Sequence, residues 1–215
     1  MIYVQVGLYA EGKSDYEFLL PLLDRLVDDL LAQHYPGQST VQPPPIPVDA
    51  PDVVGQGRDA RIGAAIEKFS DSCQLFVIHA DADGDAESAR KHRVEPGVRR
   101  GLAGLKVAVS TAACIPIEMI EAWMLVDAAA WQQLGCDEPV LPRDPEAVRA
   151  PKEHVEAVLK SGRRGRAPQV YAVMGANVKL AALRRLAGFR VFEEELLLAL
   201  RAVVGGRADP PTKAS

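Results

Sequence analysis

The chain has little cysteine, no long apolar run and no excess of basic charge, and each absence removes a class of function. Its three cysteines, Cys73, Cys114 and Cys136, lie far apart and form no Cys-x-x-Cys pair, so neither a disulfide framework nor a zinc site is expected. They read as buried free thiols. No apolar run approaches the roughly 20 residues that a bilayer crossing needs. The opening residues MIYVQVGLYAEG carry no basic flank and read as a first strand, not a signal peptide. A cytoplasmic protein without membrane contact is the expectation. The formal net charge of −4 argues against coating nucleic acid through bulk charge, although a local basic face or a bound metal can still recruit phosphate. There is no Gly-x-x-x-x-Gly-Lys-Ser/Thr segment, so any work driven by nucleotide hydrolysis would fall to a partner ATPase. Internal repeats and low-complexity tracts are also missing.

What is present is an ordinary globular composition, 48% hydrophobic and 25% charged over 215 residues, which suits one α/β domain with embellishments. Residues 2–10 are rich in Val, Ile and Tyr and predict a strand. Ser14 then opens Ser-Asp-Tyr-Glu, a capping-box pattern with Glu17. Phe18, Leu19, Leu22, Leu23, Leu26, Val27, Leu30 and Leu31 follow as the stripe of an amphipathic helix, which Pro21 should bend. Residues 35–57 read as a rigid loop with a short edge strand near residues 46–48, and residues 59–69 as a helix. After a buried strand over residues 75–80 come a polar helix over 86–102 with a possible break at Pro96-Gly97, a strand over 106–110 and a helix over 117–134. Strand and helix alternate, which implies a largely parallel sheet with helices on its faces. Residues 136–205 read as a helical extension on a core formed by residues 1–135, and residues 206–215 as a disordered tail.

The feature that carries chemistry is LFVIHADADGD, an uncharged run that ends in Asp81, Asp83 and Asp85 on alternate positions. Crowded carboxylates repel one another unless a cation or hydrogen-bond donors offset the charge. Mg²⁺ (or Mn²⁺), which takes one or two carboxylates and keeps waters for a phosphate, suits such a cluster. In a parallel sheet ligands sit outside the carboxyl ends of the strands, where Glu11 also falls, with Gly12 free to turn its carboxylate toward the crevice. A solvated loop residue is the plainer alternative for Glu11. Helix capping is the alternative for Asp81 and Asp83, and the preferred account of Asp85.

EGKSD followed by FLLPLL, the DAD after an apolar strand, and IEAWML further on resemble the Toprim domain. The similarity is to the branch found in overcoming-lysogenisation-defect nucleases and in small Toprim-like proteins encoded beside defence ATPases. Pro151-Lys152, Tyr171, Gly175, Leu183-Arg184 and Phe189 continue it down the chain. The resemblance implies a Toprim/Rossmann-like α/β fold and a metal-dependent nuclease acting on DNA or RNA, in a phage or plasmid defence setting. By motif it implies Glu11, Asp15, Asp81, Asp83 and Glu121 as ligands of Mg²⁺ (or Mn²⁺), with Lys152 supporting the transition state. Asp15 is one methylene shorter than the Glu usual in that family. Glu118 competes with Glu121, being three residues away on the same helix.

Basic residues cluster at Arg90-Lys91-His92-Arg93 with Arg99-Arg100, and at Arg163, Arg164 and Arg166 in a glycine-bearing loop. The second cluster is the candidate nucleic-acid contact, because a loop can follow a strand of phosphates. His79 shares the face of Asp81 and reads as a buried core histidine or a partner of the acidic cluster. Trp123 and Trp131 read as core anchors. A calcium loop fails because the glycine is early and His92 stands where a bidentate Glu belongs. An aspartyl phosphatase fits less well, since its signature ends in a hydroxyl residue and a distal Gly-Asp-x-x-x-Asp pattern is missing. A non-catalytic Toprim-like subunit that binds a partner ATPase or nucleic acid remains an alternative, and a homo-oligomer is possible.

Overall fold

The strand expected over residues 2–10 is divided into β1 (Ile2–Tyr3) and β2 (Val6–Tyr9). The division falls at Gln5, whose backbone N–H donates to the Gln74 side chain at 2.9 Å instead of to a neighbouring strand. The computed structural model describes residues 2–38, 40–50, 57–161 and 169–205. Helix α1 (Lys13–His34) follows, runs through Pro21 and buries the whole expected stripe from Phe18 to Leu31. Its start differs from expectation. Gly12 is the N-cap, and the Asp15 carboxylate, not Ser14 with Glu17, accepts the Gly12 N–H at 2.9 Å. Glu17 instead faces Lys13 at 3.6 Å.

Next come β3 (Thr40–Val41), β4 (Ile46–Pro47), α2 (Arg58–Phe69) and β5 (Leu75–His79). The polar helix over 86–102 is α3 (Ala86–Ala89), a π-helical turn (Arg90–Val94) and α4 (Glu95–Leu102) in direct succession. No break occurs at Pro96-Gly97. Pro96 follows directly on the π-helical turn, as the second residue of α4. Gly97 is where α4 meets α2, and a Cβ there would lie 2.6 Å from Ile62 Cβ.

The last strand is β6 (Ser110–Cys114), not residues 106–110. Its register, Leu75 beside Ser110 through His79 beside Cys114, is set by β5. The expected helix over 117–134 is two short ones, α5 (Ile120–Met124) and α6 (Ala128–Gln133), because Asp127 caps a new start by accepting the Ala129 N–H at 3.0 Å. A 3₁₀ turn (Pro145–Ala147) precedes α7 (Pro151–Ser161), α8 (Val170–Asn177), α9 (Leu180–Leu183) and α10 (Ala187–Gly205). None of the described helices is long and apolar enough to cross a membrane.

The principal sheet has the order β4-β2-β5-β6, all parallel; β1 and β3 form a separate parallel pair. This is the expected Rossmann-like α/β architecture with a helical C-terminal region. Side chains alternate across the sheet, as the pleat requires. Leu75 and Val77 join a core with α1, α8 and α10, whereas Phe76 and Ile78 join one with α2. Trp123 and Trp131 are buried as expected, Trp123 meeting Phe189 edge to face at 5.2 Å. The exposed edge of β6 is covered by α10, whose Glu195 accepts the Ala113 N–H at 3.2 Å and pairs with Arg90. All three cysteines are free and buried.

Candidate active site

The adjacency of β2 and β5 places their carboxyl ends side by side, and with them the residues that follow. Glu11, Asp15, Asp81, Asp83 and Glu121 line one cleft of about 310 Å³, together with Lys152 from the first turn of α7. Glu118 does not line it. Residues separated by up to 141 positions thus meet at one strand edge. Arg163, Arg164 and Arg166 lie outside the described residues.

Each acidic residue is held by a different device. After His79 the β5 chain continues beside the segment following β6, with Ala82 N donating to Pro116 O at 3.2 Å and Gly84 N to Ile117 O at 2.8 Å. Asp83 adopts φ 50° in that turn, a left-handed conformation that Asp tolerates better than most residues. Asp85 is the cap it was expected to be, accepting the Ser88 N–H at 2.9 Å. Glu121, only 5% exposed, is carried inward on α5 and accepts the Tyr171 phenol at 2.7 Å. Burial raises the Glu121 carboxyl above its ordinary pKa, the phenol opposes that rise, and Asp81 and Asp15 add to it. The Tyr171 phenol is raised in turn, first by burial and then by Glu121, so it remains a donor.

His79 lies at the centre, 2% exposed, with Nδ1 3.7 Å from Asp15 and Nε2 3.4 Å from Asp81 Oδ1. The second contact lacks hydrogen-bond alignment. Both His79 Nε2 and Asp81 Oδ1 are buried atoms without a hydrogen-bond partner among the described residues. Two arginines that sequence reasoning did not assign to this site complete it. Arg58, the first residue of α2, forms an ion pair with Glu11 and donates to His79 O and to Arg93 O. Arg93, in the π-helical turn, pairs with Asp83 at 2.8 Å and donates to Asp81 O at 2.8 Å. Arg93 stood within a basic cluster, but no periodicity aimed it; Arg58 carried no signal at all. Of the first basic cluster, Arg90 meets Glu195, Arg93 pairs with Asp83 and Arg100 stands 3.6 Å from Asp59.

Five carboxylates face three cationic side chains across the cleft, a formal excess of negative charge. The carboxylate oxygens are hard donors, which suit Mg²⁺ or Mn²⁺ over softer metals, and Asp81 Oδ1, buried 3.4 Å from His79 Nε2, has no hydrogen-bond partner among the described residues. No group of three or more His, Cys, Asp and Glu among the described residues is arranged to hold an ion. Carboxylate oxygens line the cleft, and two of the carboxylates, Glu11 and Asp83, are paired with guanidinium. No protein-family model, curated protein or solved structure significantly matches this chain.

Proposed function

We propose that this chain is a divalent-metal-dependent phosphodiesterase of the Toprim-like kind, acting on DNA or RNA. The observation that supports it most is the convergence of Glu11, Asp81, Asp83 and Glu121 with Lys152 on one cleft at the carboxyl ends of parallel strands. Asp81, Asp83 and Glu11 would hold Mg²⁺ or Mn²⁺, with Asp15 and Glu121 behind them. The cation would supply charge for the phosphate and lower the pKa of an attacking water. Lys152, exposed and making no ion pair among the described residues, offsets charge that builds on the phosphate oxygens. Glu121, whose carboxyl burial raises above its ordinary pKa, takes up a proton from water at the back of the cleft.

The purified chain should cleave plasmid, single-stranded DNA or tRNA with Mg²⁺ or Mn²⁺. Asp81→Ala should abolish cleavage with an unchanged circular dichroism spectrum. If nothing is cleaved by the chain alone or with a partner ATPase, the nuclease reading fails. Turnover of a small phosphomonoester alone would point to a phosphatase instead. A second reading, a non-catalytic subunit for a partner ATPase or nucleic acid, is favoured by one observation: Glu11 and Asp83 are already neutralised by arginine. A chain that binds its partner unchanged after Asp81→Ala and never cuts would support it.

A further inference from the structure

We propose that Arg58 and Arg93 form an exchangeable anion-binding pair. They hold Glu11 and Asp83 while no cation is bound, and pass to the oxygens of a substrate phosphodiester when a divalent cation takes those carboxylates. The inference rests on the phosphodiesterase reading and identifies which groups of this chain recognise the phosphate.

The arginines are tethered by groups other than their carboxylate partners. Arg58 donates to His79 O and Arg93 O, and Arg93 donates to Asp81 O, so main-chain carbonyls at the tip of β5 keep both guanidinium groups at the cleft whatever Glu11 and Asp83 do. A guanidinium has five N–H donors, and the contacts made here leave each with donors to spare. Its planar fork matches two phosphate oxygens at once, which an ammonium does not. The carboxylate partners are easily released. The Glu11 and Asp83 side chains are 52% and 56% exposed, and ion pairs at such exposed positions contribute little. His79 Nε2, which lines the cleft 3.4 Å from Asp81 Oδ1, has no hydrogen-bond partner among the described residues, and a buried polar atom left so calls for an explanation such as a water or ion.

The exchange predicts effects of opposite sign on two ligands. Calorimetry with Mn²⁺ alone should show Arg58→Gln and Arg93→Gln binding the ion about 2- to 5-fold more tightly than wild type, because a competitor for the carboxylate has gone. Fluorescence anisotropy with a labelled, cleavage-resistant phosphorothioate single-stranded DNA at saturating Mn²⁺ should show each variant binding about 10-fold or more weakly. Arg58→Lys, which keeps the charge but not the fork, serves where Arg58→Gln fails to fold, and should also weaken the oligonucleotide. Variants that weaken both ligands, or neither, make the arginines plain structural ion pairs and overturn the exchange while leaving the metal site standing. If wild type and variants alike bind no Mn²⁺, the phosphodiesterase reading falls and the exchange falls with it.

Discussion

Tyr171 donates its phenolic hydrogen to Glu121 at 2.7 Å, joining α8 to the innermost carboxylate of the cleft across 50 positions of sequence. A buried carboxylate that loses its donor retains the full cost of desolvation. Tyr171→Phe should therefore lower the stability of the metal-free protein by about 1–3 kcal/mol, measured by urea unfolding, and Mn²⁺ should restore part of the loss. An unchanged midpoint would mean that Glu121 is satisfied by other means.

Asp81 Oδ1 lies 3.4 Å from His79 Nε2 and has no hydrogen-bond partner among the described residues. Asp81→Asn should leave thermal stability without added metal equal to wild type or slightly higher, since it removes one charge from a crowded group. Binding to the native state alone stabilises by mass action, about 2.7 kcal/mol at a concentration 100 times the dissociation constant. Mn²⁺ should thus raise the Tm of wild type and not that of the variant. Equal shifts in the two proteins would place the ion elsewhere.

Gly175 is where α8 rests on α1. A Cβ there would stand 2.1 Å from Phe18 O, and Arg25 clamps the same place by donating to Gly175 O and Val178 O at 2.9 Å each. The clash is with main chain and cannot be relieved by turning a side chain. Gly175→Ala should cost about 3 kcal/mol or more, seen as a lower urea midpoint, and should weaken cleavage indirectly because Tyr171 is on the same helix.

Burial pushes the Cys73 thiol from 9.0 up to about 11. Between those values the unfolded chain has lost a proton that the folded chain retains, so stability falls as pH rises through this window and is unaffected below it. The full loss is about 2–3 kcal/mol. Cys73→Ala should flatten the decline in urea stability between pH 9.0 and pH 11, although its value below pH 9.0 drops because a cavity is left. An unchanged alkaline slope would show that Cys73 ionises as freely as in the unfolded chain.

The helix stripe from Phe18 to Leu31, the apolar run of β5, the helix α2 and the cap at Asp85 were all legible, because periodicity and capping are properties of a few adjacent residues. β6 was not. Its sequence Ser-Thr-Ala-Ala-Cys holds no Val, Ile or aromatic residue, and it is a strand because β5 gives it a register and α10 closes its edge. The more β-like Val107 lies instead in an exposed turn. The split between α5 and α6 was hidden for a similar reason, since the Asp127 carboxylate that caps α6 is also held by Lys179 N at 2.9 Å.

By itself the sequence determined that strands and helices alternate, that carboxylates stand at two strand ends, and that a third acidic residue rides on a later helix. Those are local facts about residue type and spacing. Only the tertiary structure decided that the three acidic sites share a cleft, because this depends on β2 lying beside β5 and on α8 bringing Tyr171 to Glu121. It alone set Arg58 against Glu11 and Arg93 against Asp83. A guanidinium finds its partner through the geometry of helix packing and the carbonyls at a strand tip, and neither is written in the spacing of the chain.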